Sequence, residues 1–142
     1  GQDVSAIPYE RPLPATFALR ASIFHMIEHH EPVACLGYMF HLEYTPTQLG
    51  KQYMPALEKS GIPRSAMTFL EEHAEVDIAH CKLMEMYCEK LVRTPEQLES
   101  VLYTQRLTAE LYAKMLDQAL ETAETLSPIR ASKSAAYHEV SA

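Results

Sequence analysis

The chain has 142 residues, of which 47% are hydrophobic and 22% charged. This length is enough for one domain with a hydrophobic core and too short for two ordinary domains. Its 12 Lys and Arg against 19 Asp and Glu give a formal charge of −7, which argues against nucleic acid as a partner because phosphate binding needs clustered basic side chains. No segment approaches the roughly 20 apolar residues of a membrane span, and the N-terminus lacks the pattern of a signal peptide. A cytoplasmic protein with no membrane partner is therefore expected.

The scarcity of glycine, four residues in all, and the absence of β-branched runs predict an all-α fold. Residues 1–14 contain three prolines and are predicted to be an irregular segment. Residues 15–126 are predicted to form a helical domain, and residues 127–142, rich in Ser and Ala, a flexible tail. Apolar spacing predicts five helices, over about 15–31, 33–44, 48–59, 63–92 and 94–126.

The predicted helix boundaries follow from residues that start or stop helices. Pro32 and Pro46 are each expected to end a helix, since proline cannot donate the backbone hydrogen bond of a helix interior. Gly61 suits a left-handed C-terminal cap, and Pro63 suits the start of the next helix. Residues 94–97 combine a capping Thr, a Pro and a Gln in the order of a helix N-terminus.

Cys35, Cys81 and Cys88 are odd in number and have no paired spacing, so a disulfide framework is not expected. They are interpreted as small, reduced core residues.

The most informative segment lies within residues 71–80. His73, Asp77 and His80 fall at positions i, i+4 and i+7, which places them on one helix face. The same face continues with apolar residues on both sides, so it is expected to be buried. Burial of unpaired polar or charged groups costs about several kcal/mol each, and a domain is stable by only about 5–15 kcal/mol in total.

Two kinds of partner could compensate for that burial. Side chains from another helix are one, and a metal ion bound by imidazole and carboxylate is the other. His73 and His80 are separated by about 10 Å of helix rise, which favours two ions about 3.5–4 Å apart with Asp77 between them over a single zinc. A second carboxylate, Glu43, takes a core-facing position on a largely apolar helix, and is expected to be either a fourth ligand or a solvated glutamate near a helix end.

Residues 37–46 and the His-x-x-x-Asp-x-x-His pattern, separated by about thirty residues, resemble the haem-oxygenase-like non-haem diiron oxidases and oxygenases, also described as iron-containing redox enzymes. The resemblance covers about residues 13–120. It implies the C-terminal half of an all-α, haem-oxygenase-like helical bundle, with metal ligands at Glu43, His73, Asp77 and His80. It further implies two iron ions, one of which manganese can replace, O2 as co-substrate and a small-molecule substrate.

The resemblance also implies ligands that this chain does not supply at matching positions. Another Glu and another His are expected from an N-terminal half outside this chain or from a second chain, for example in a homodimer. Five residues within the chain are further candidates to replace them: His25, Glu28, His29, His30 and His41.

The function implied is that of an O2-activating oxidoreductase, whose reaction is oxidative decarboxylation, desaturation, C–C cleavage or N-oxidation of a metabolite. One alternative is a non-catalytic binding or assembly module of the same fold. Another is a ferritin-like iron-binding protein, although such bundles use Glu-x-x-His pairs on two helices. A thiaminase-like relative would need a nucleophilic cysteine beside the triad, and none is expected there.

Overall fold

The computed structural model describes residues 10–139, apart from the side chains of Lys51 and of residues 126–139. The described residues contain helices and no strands, which confirms the all-α prediction. Of the irregular segment predicted over residues 1–14, residues 1–9 lie outside the described part. The α-helices are α1 (Pro14–His29), α2 (Cys35–Lys59), α3 (Thr68–Leu91) and α4 (Pro95–Glu139), with short 3-10 helices at Pro32–Ala34 and Arg64–Ala66.

Helix α2 is continuous where the sequence predicted two helices separated at Pro46. That prediction was wrong: both Pro46 and Pro55 lie inside the helix. An internal proline costs a helix about 3 kcal/mol or more. Here both halves of α2 pack against α3, and the Thr45 and Thr47 hydroxyls donate to backbone carbonyls of the preceding turn, each at 2.7 Å. Tertiary packing therefore outweighs the local signal to end the helix.

The turn between α2 and α3 follows the sequence prediction in part. Gly61 has φ of 89°, a left-handed conformation that confirms the predicted cap. The helix expected from Pro63 begins instead as the 3-10 helix, and α3 starts at Thr68. Arg64 lies 3.6 Å from Glu58 at the end of α2, and its Nε donates to Glu71 in α3 at 2.7 Å.

Helix α4 begins where its capping residues predicted. The Gln97 amide donates to the Thr94 hydroxyl at 3.3 Å, and the Gln97 side chain accepts from the Arg93 amide at 2.8 Å. The helix runs to Glu139, beyond the end predicted near Leu126. Residues 140–142 lie outside the described part, and the flexibility of residues 127–142 stays a prediction.

The chain divides into two compact units. The larger, Ser22–Ala109, contains α2, α3 and the first part of α4, and with them all four predicted metal ligands. In the other unit, the Ala15 amide donates to the Gln118 side chain at 2.9 Å. Among the described residues, no helix combines the length and apolar character needed to cross a bilayer.

Within the larger unit, α2 and α3 run antiparallel. Leu36 near the start of α2 and Met84 near the end of α3 share a buried cluster with Val101 of α4. Further along α2, Gly50 lies against Ala74 of α3. Midway between these two contacts, the centre of α2 lies opposite the centre of α3. The candidate ligands lie there.

Candidate metal centre

Three of the four predicted ligands converge between α2 and α3. Glu43, Asp77 and His80 each offer one ligand atom, and these atoms lie within 4.8 Å of one another. Asp77 and His80 are three residues apart on α3, so they project from the same face, and Glu43 reaches them from α2. Two carboxylates and one imidazole therefore meet at one point, and their role as metal ligands stays a prediction.

His80 lies between the two carboxylates. Its Nδ1 is 2.8 Å from Glu43 Oε2, a hydrogen bond in which the imidazole donates, and 3.3 Å from Asp77 Oδ1. The side chain of Asp77 is 2% exposed, whereas those of Glu43 and His80 are 28% and 44% exposed. The centre is thus closed on the Asp77 side and open to solvent on the His80 side.

The Asp77 carboxylate lacks sufficient compensation for its burial. Its Oδ1 is buried and has no well-oriented hydrogen-bond donor among the described residues. Burial raises the pKa of Asp77, and the neighbouring Glu43 raises it further, while His73 and His80 oppose the shift. Ionised Asp77 beside Glu43 is therefore unfavourable without positive charge close to both carboxylates. A protonated His80 supplies part of that charge and a divalent cation would supply more, so these residues fit a metal ion.

The pKa of His80 moves in the direction that assists the carboxylates. The hydrogen bond to Glu43 raises it most, with added contributions from the charges of Glu43 and Asp77, and partial burial opposes the shift. A protonated imidazole thus gives both carboxylates a positive neighbour. Because a metal ion competes with a proton for the same ligand atom, metal binding at this centre must release protons.

His73, the fourth predicted ligand, is not part of the three-residue group. Its ring stacks on Phe69 with centroids 3.8 Å apart, and its Nδ1 donates to the Phe69 carbonyl at 2.8 Å. Its charge still acts on the pKa of Asp77, one helical turn away. With the Nδ1 proton held by a backbone carbonyl, Nε2 is the nitrogen left to bind metal, an arrangement common among metal-bound histidines.

Cys81 lies nearer the centre than the sequence analysis expected. Burial raises the pKa of its thiol, and the charges of Asp77 and Glu43 raise it further. The signal was present in the sequence, because Cys81 follows Asp77 by four residues, one helical turn. A thiol with a raised pKa is a poorer nucleophile at neutral pH, so the thiaminase-like alternative gains no support. Across the described residues all three cysteines are free.

The further ligand candidates do not join the three-residue group. The described potential metal ligands that meet in a set of three are Glu43, Asp77 and His80. His41 lies two residues before Glu43 on α2, and partial burial lowers its pKa. The other candidates lie at the end of α1.

Comparison with known proteins identifies the family. No curated protein and no solved structure matches the chain. Residues 1–113 match the family described as iron-containing redox enzyme, which is more than half of the chain. The match agrees with the all-α fold and with the carboxylate and imidazole group between α2 and α3. The chain therefore belongs to the family of iron-containing redox enzymes.

Proposed function

We propose that this protein is a non-haem iron oxidase or oxygenase that activates O2 to oxidise a small-molecule metabolite at the Glu43–Asp77–His80 centre. The observation that carries the proposal is the buried Asp77 carboxylate, whose Oδ1 has no well-oriented hydrogen-bond donor among the described residues and lies beside a second carboxylate. Such an arrangement is unfavourable unless a cation neutralises it.

The ligand types favour iron or manganese over structural zinc. Carboxylates with imidazole, and open positions for exogenous ligands, are typical of non-haem iron sites, whereas structural zinc sites are closed and usually contain thiolate. The 44% exposed side chain of His80 marks the open side of the centre. Iron bound there supplies the one-electron chemistry that O2 requires.

We propose two metal ions, with manganese as an alternative occupant of one position. His80 would hold one ion and the Nε2 of His73 the other, and the carboxylates of Asp77 and Glu43 would supply negative charge to both. Nδ1 of His73 donates to the Phe69 carbonyl, which leaves Nε2 as the nitrogen that would bind metal. The ring would have to turn from its stack on Phe69 to reach the second ion, and Nδ1 would then need to keep or replace that hydrogen bond.

The remaining residues of the centre hold charge and shape the approach of the substrate. Glu43 accepts the His80 hydrogen bond at 2.8 Å and so orients the imidazole, and metal binding would release the proton that the two side chains share. Phe40 and Tyr44 stack on the same helix with centroids 5.5 Å apart, one on either side of Glu43 in sequence. Tyr44 is 45% exposed, so it offers an aromatic contact to an incoming substrate. Decarboxylation, desaturation, C–C cleavage and N-oxidation are the reaction classes proposed.

The four candidate ligands of this chain would leave coordination positions on two ions for others. We propose that a further segment or a second chain, for example in a homodimer, supplies at least one ligand on the open side of the centre. The half-exposed His80 supports this, since a side chain closing over it would exclude water from the reacting groups.

The test is anaerobic loading of the full chain with Fe(II), followed by measurement of bound iron and of O2 consumption. Wild type is expected to bind iron and consume O2, and Glu43→Gln to lose both. Glu75→Gln is the matched control, because Glu75 is an exposed glutamate on α3 outside the three-residue group. Equal iron content in wild type and Glu43→Gln would contradict the proposal.

The second candidate function is a non-catalytic iron-binding or assembly module. It is favoured by the position of His73 outside the ligand group, which leaves a three-residue site. The same experiment separates the two functions. Iron bound at this centre without O2 consumption, in the presence of a reductant, would favour the module.

A further inference from the structure

A second group of imidazoles lies at the end of α1, apart from the Glu43–Asp77–His80 centre. His25 is on the last part of α1, and His30 follows the last residue of that helix. Their Nε2 atoms are 3.2 Å apart, and their ring centroids are 5.0 Å apart. Both side chains are exposed and neither takes part in the proposed function. We infer that His25 and His30 form a separate binding site for a divalent metal ion of the zinc class.

The distance between the two nitrogens suits a shared ion. Zinc binds imidazole nitrogen at about 2.0–2.1 Å, and two such bonds with ends 3.2 Å apart subtend an angle of about 100°, close to the tetrahedral value. A direct Nε2–H···Nε2 hydrogen bond accounts for the same distance when no ion is bound. Replacing that hydrogen bond by an ion therefore leaves the distance between the two nitrogens nearly unchanged, and each ring turns so that its Nε2 faces the ion.

The position of the pair at a helix C-terminus also favours a cation. The last carbonyls of α1 carry partial negative charge from the helix dipole, which stabilises positive charge beside them. The His30 amide donates to the Met26 carbonyl at 3.2 Å, so the chain stays close to the helix where the two rings meet. An ion bound by both rings would link the last turns of α1 to the segment that follows it.

A cavity of about 360 Å³ adjoins the pair. Both rings contribute to its wall, and Tyr103 and Leu107 of α4 form another part of it. Two protein ligands leave an ion of the zinc class with open positions, which water or a small anionic group in the cavity can occupy. Imidazole without carboxylate suits zinc, copper and nickel more than manganese, so this site and the carboxylate-rich centre select different ions.

His29 provides a matched control within the same group. Its ring centroid is 5.0 Å from that of His25, but its Nε2 lies 3.8 Å from the Glu28 carboxylate. The two-histidine site does not require it. His29→Gln therefore removes one imidazole from the group while keeping the pair that binds the ion.

The experiment is calorimetric titration of the untagged full chain with zinc, in the Asp77→Asn background that disables the carboxylate centre. One zinc per chain is expected, with a rise in Tm, because the ion links α1 to the next segment. Adding His25→Gln or His30→Gln is expected to abolish both effects, and adding His29→Gln to preserve them. Absence of zinc binding in the Asp77→Asn background would overturn the inference. Equal loss in all three histidine variants would also overturn it, because binding would then follow the number of imidazoles.

Discussion

The two ends of the α2–α3 pair differ in packing, and the candidate centre lies between them. At one end, Leu36 and Met84 are buried against Val101, and the backbone of α4 lies directly against Gly37. At the other end, Phe69 is 65% exposed and Tyr53 is 56% exposed. The packed end joins α2 and α3 to α4, whereas the open end exposes large aromatic side chains although Met67 and Ala74 there are buried.

The packing of α2 on α3 explains which ligands are in place. Glu43, Asp77 and His80 lie between the two ends, where the packing of α2 on α3 brings atoms of the three side chains within 4.8 Å of one another. His73 lies two turns before His80 on α3, nearer the open end, and rests against exposed Phe69. The three-residue group is thus set by the packing of the two helices, whereas the position of His73 is set by its local contact with Phe69.

The largest expected effect is loss of all iron from Asp77→Asn. Asp77 is the buried member of the centre, and an amide removes the negative charge that draws the cation. The same change removes an unfavourable buried charge, so the Tm of the metal-free protein is expected to stay equal or rise. Iron analysis and calorimetry of metal-free and iron-loaded protein measure both effects.

The control for this change is Glu72→Gln, a charge-neutralising substitution of a glutamate on the same helix that lies outside the three-residue group. It should retain the full iron content. A fall in Tm for metal-free Asp77→Asn would show that the ionised carboxylate stabilises the fold, and would contradict the role of Asp77 as a buried charge that awaits a cation.

The next largest effect is a loss of stability on substituting a glycine of α2, and it is compared at two positions along that helix. A Cβ on Gly37 would meet the Val101 carbonyl and come within 2.8 Å of the Gln105 nitrogen, both of them backbone atoms that cannot move alone. Gly37→Ala is therefore expected to destabilise the protein by about 1–3 kcal/mol, despite the better helix propensity of alanine. Urea unfolding measures the change.

Gly50→Ala is the matched substitution at the open end. A Cβ there would lie 3.2 Å from the Cβ of Ala74, a contact that small shifts can relieve. The gain of about 0.8–1 kcal/mol in helix propensity offsets that strain, so the net change should be near zero. Equal destabilisation by the two variants would contradict the difference between the packed and open ends.

The sequence predicted which helix face carries the candidate ligands better than it predicted their burial. Helical periodicity placed Asp77 and His80 together because a one-turn spacing fixes which side chains are neighbours, but of the face predicted to be buried Asp77 is buried while the His80 side chain is 44% exposed. It also counted His73 in the group, since periodicity gives the face but not the rotamer, and the Phe69 contact is a local alternative. The prediction that a helix ends at Pro46 was wrong for a related reason. Local propensity does not include the packing of both halves of α2 on α3.

His73→Ala tests whether His73 completes a second metal position. If His73 serves a second ion, the variant is expected to bind half of the wild-type iron while retaining the ion held by the other three ligands. His80→Ala, which removes a residue of the three-ligand group, is expected to lose more. Metal-to-protein ratios by elemental analysis distinguish these outcomes. Unchanged iron content in His73→Ala would restrict the centre to one ion.

The smallest effect is a pH dependence of both protein stability and iron affinity, which protonation of His80 is expected to cause. The hydrogen bond to Glu43 raises the pKa of His80 above its usual 6.5, so protonation of His80 contributes stability fully below about pH 6.5. This contribution is lost as pH rises through the elevated value. Iron competes with the same proton, so its affinity is expected to fall as pH drops through that elevated pKa.

Glu43→Gln should lower the His80 pKa towards 6.5, because it removes the largest cause of the shift. NMR titration of metal-free protein measures this, with the other histidine signals as an internal reference. A His80 pKa that does not change in Glu43→Gln would mean that the 2.8 Å contact does not hold the imidazole in solution. The three-residue group would then be no better ordered than His73, and the packing of α2 on α3 would no longer explain which ligands are in place.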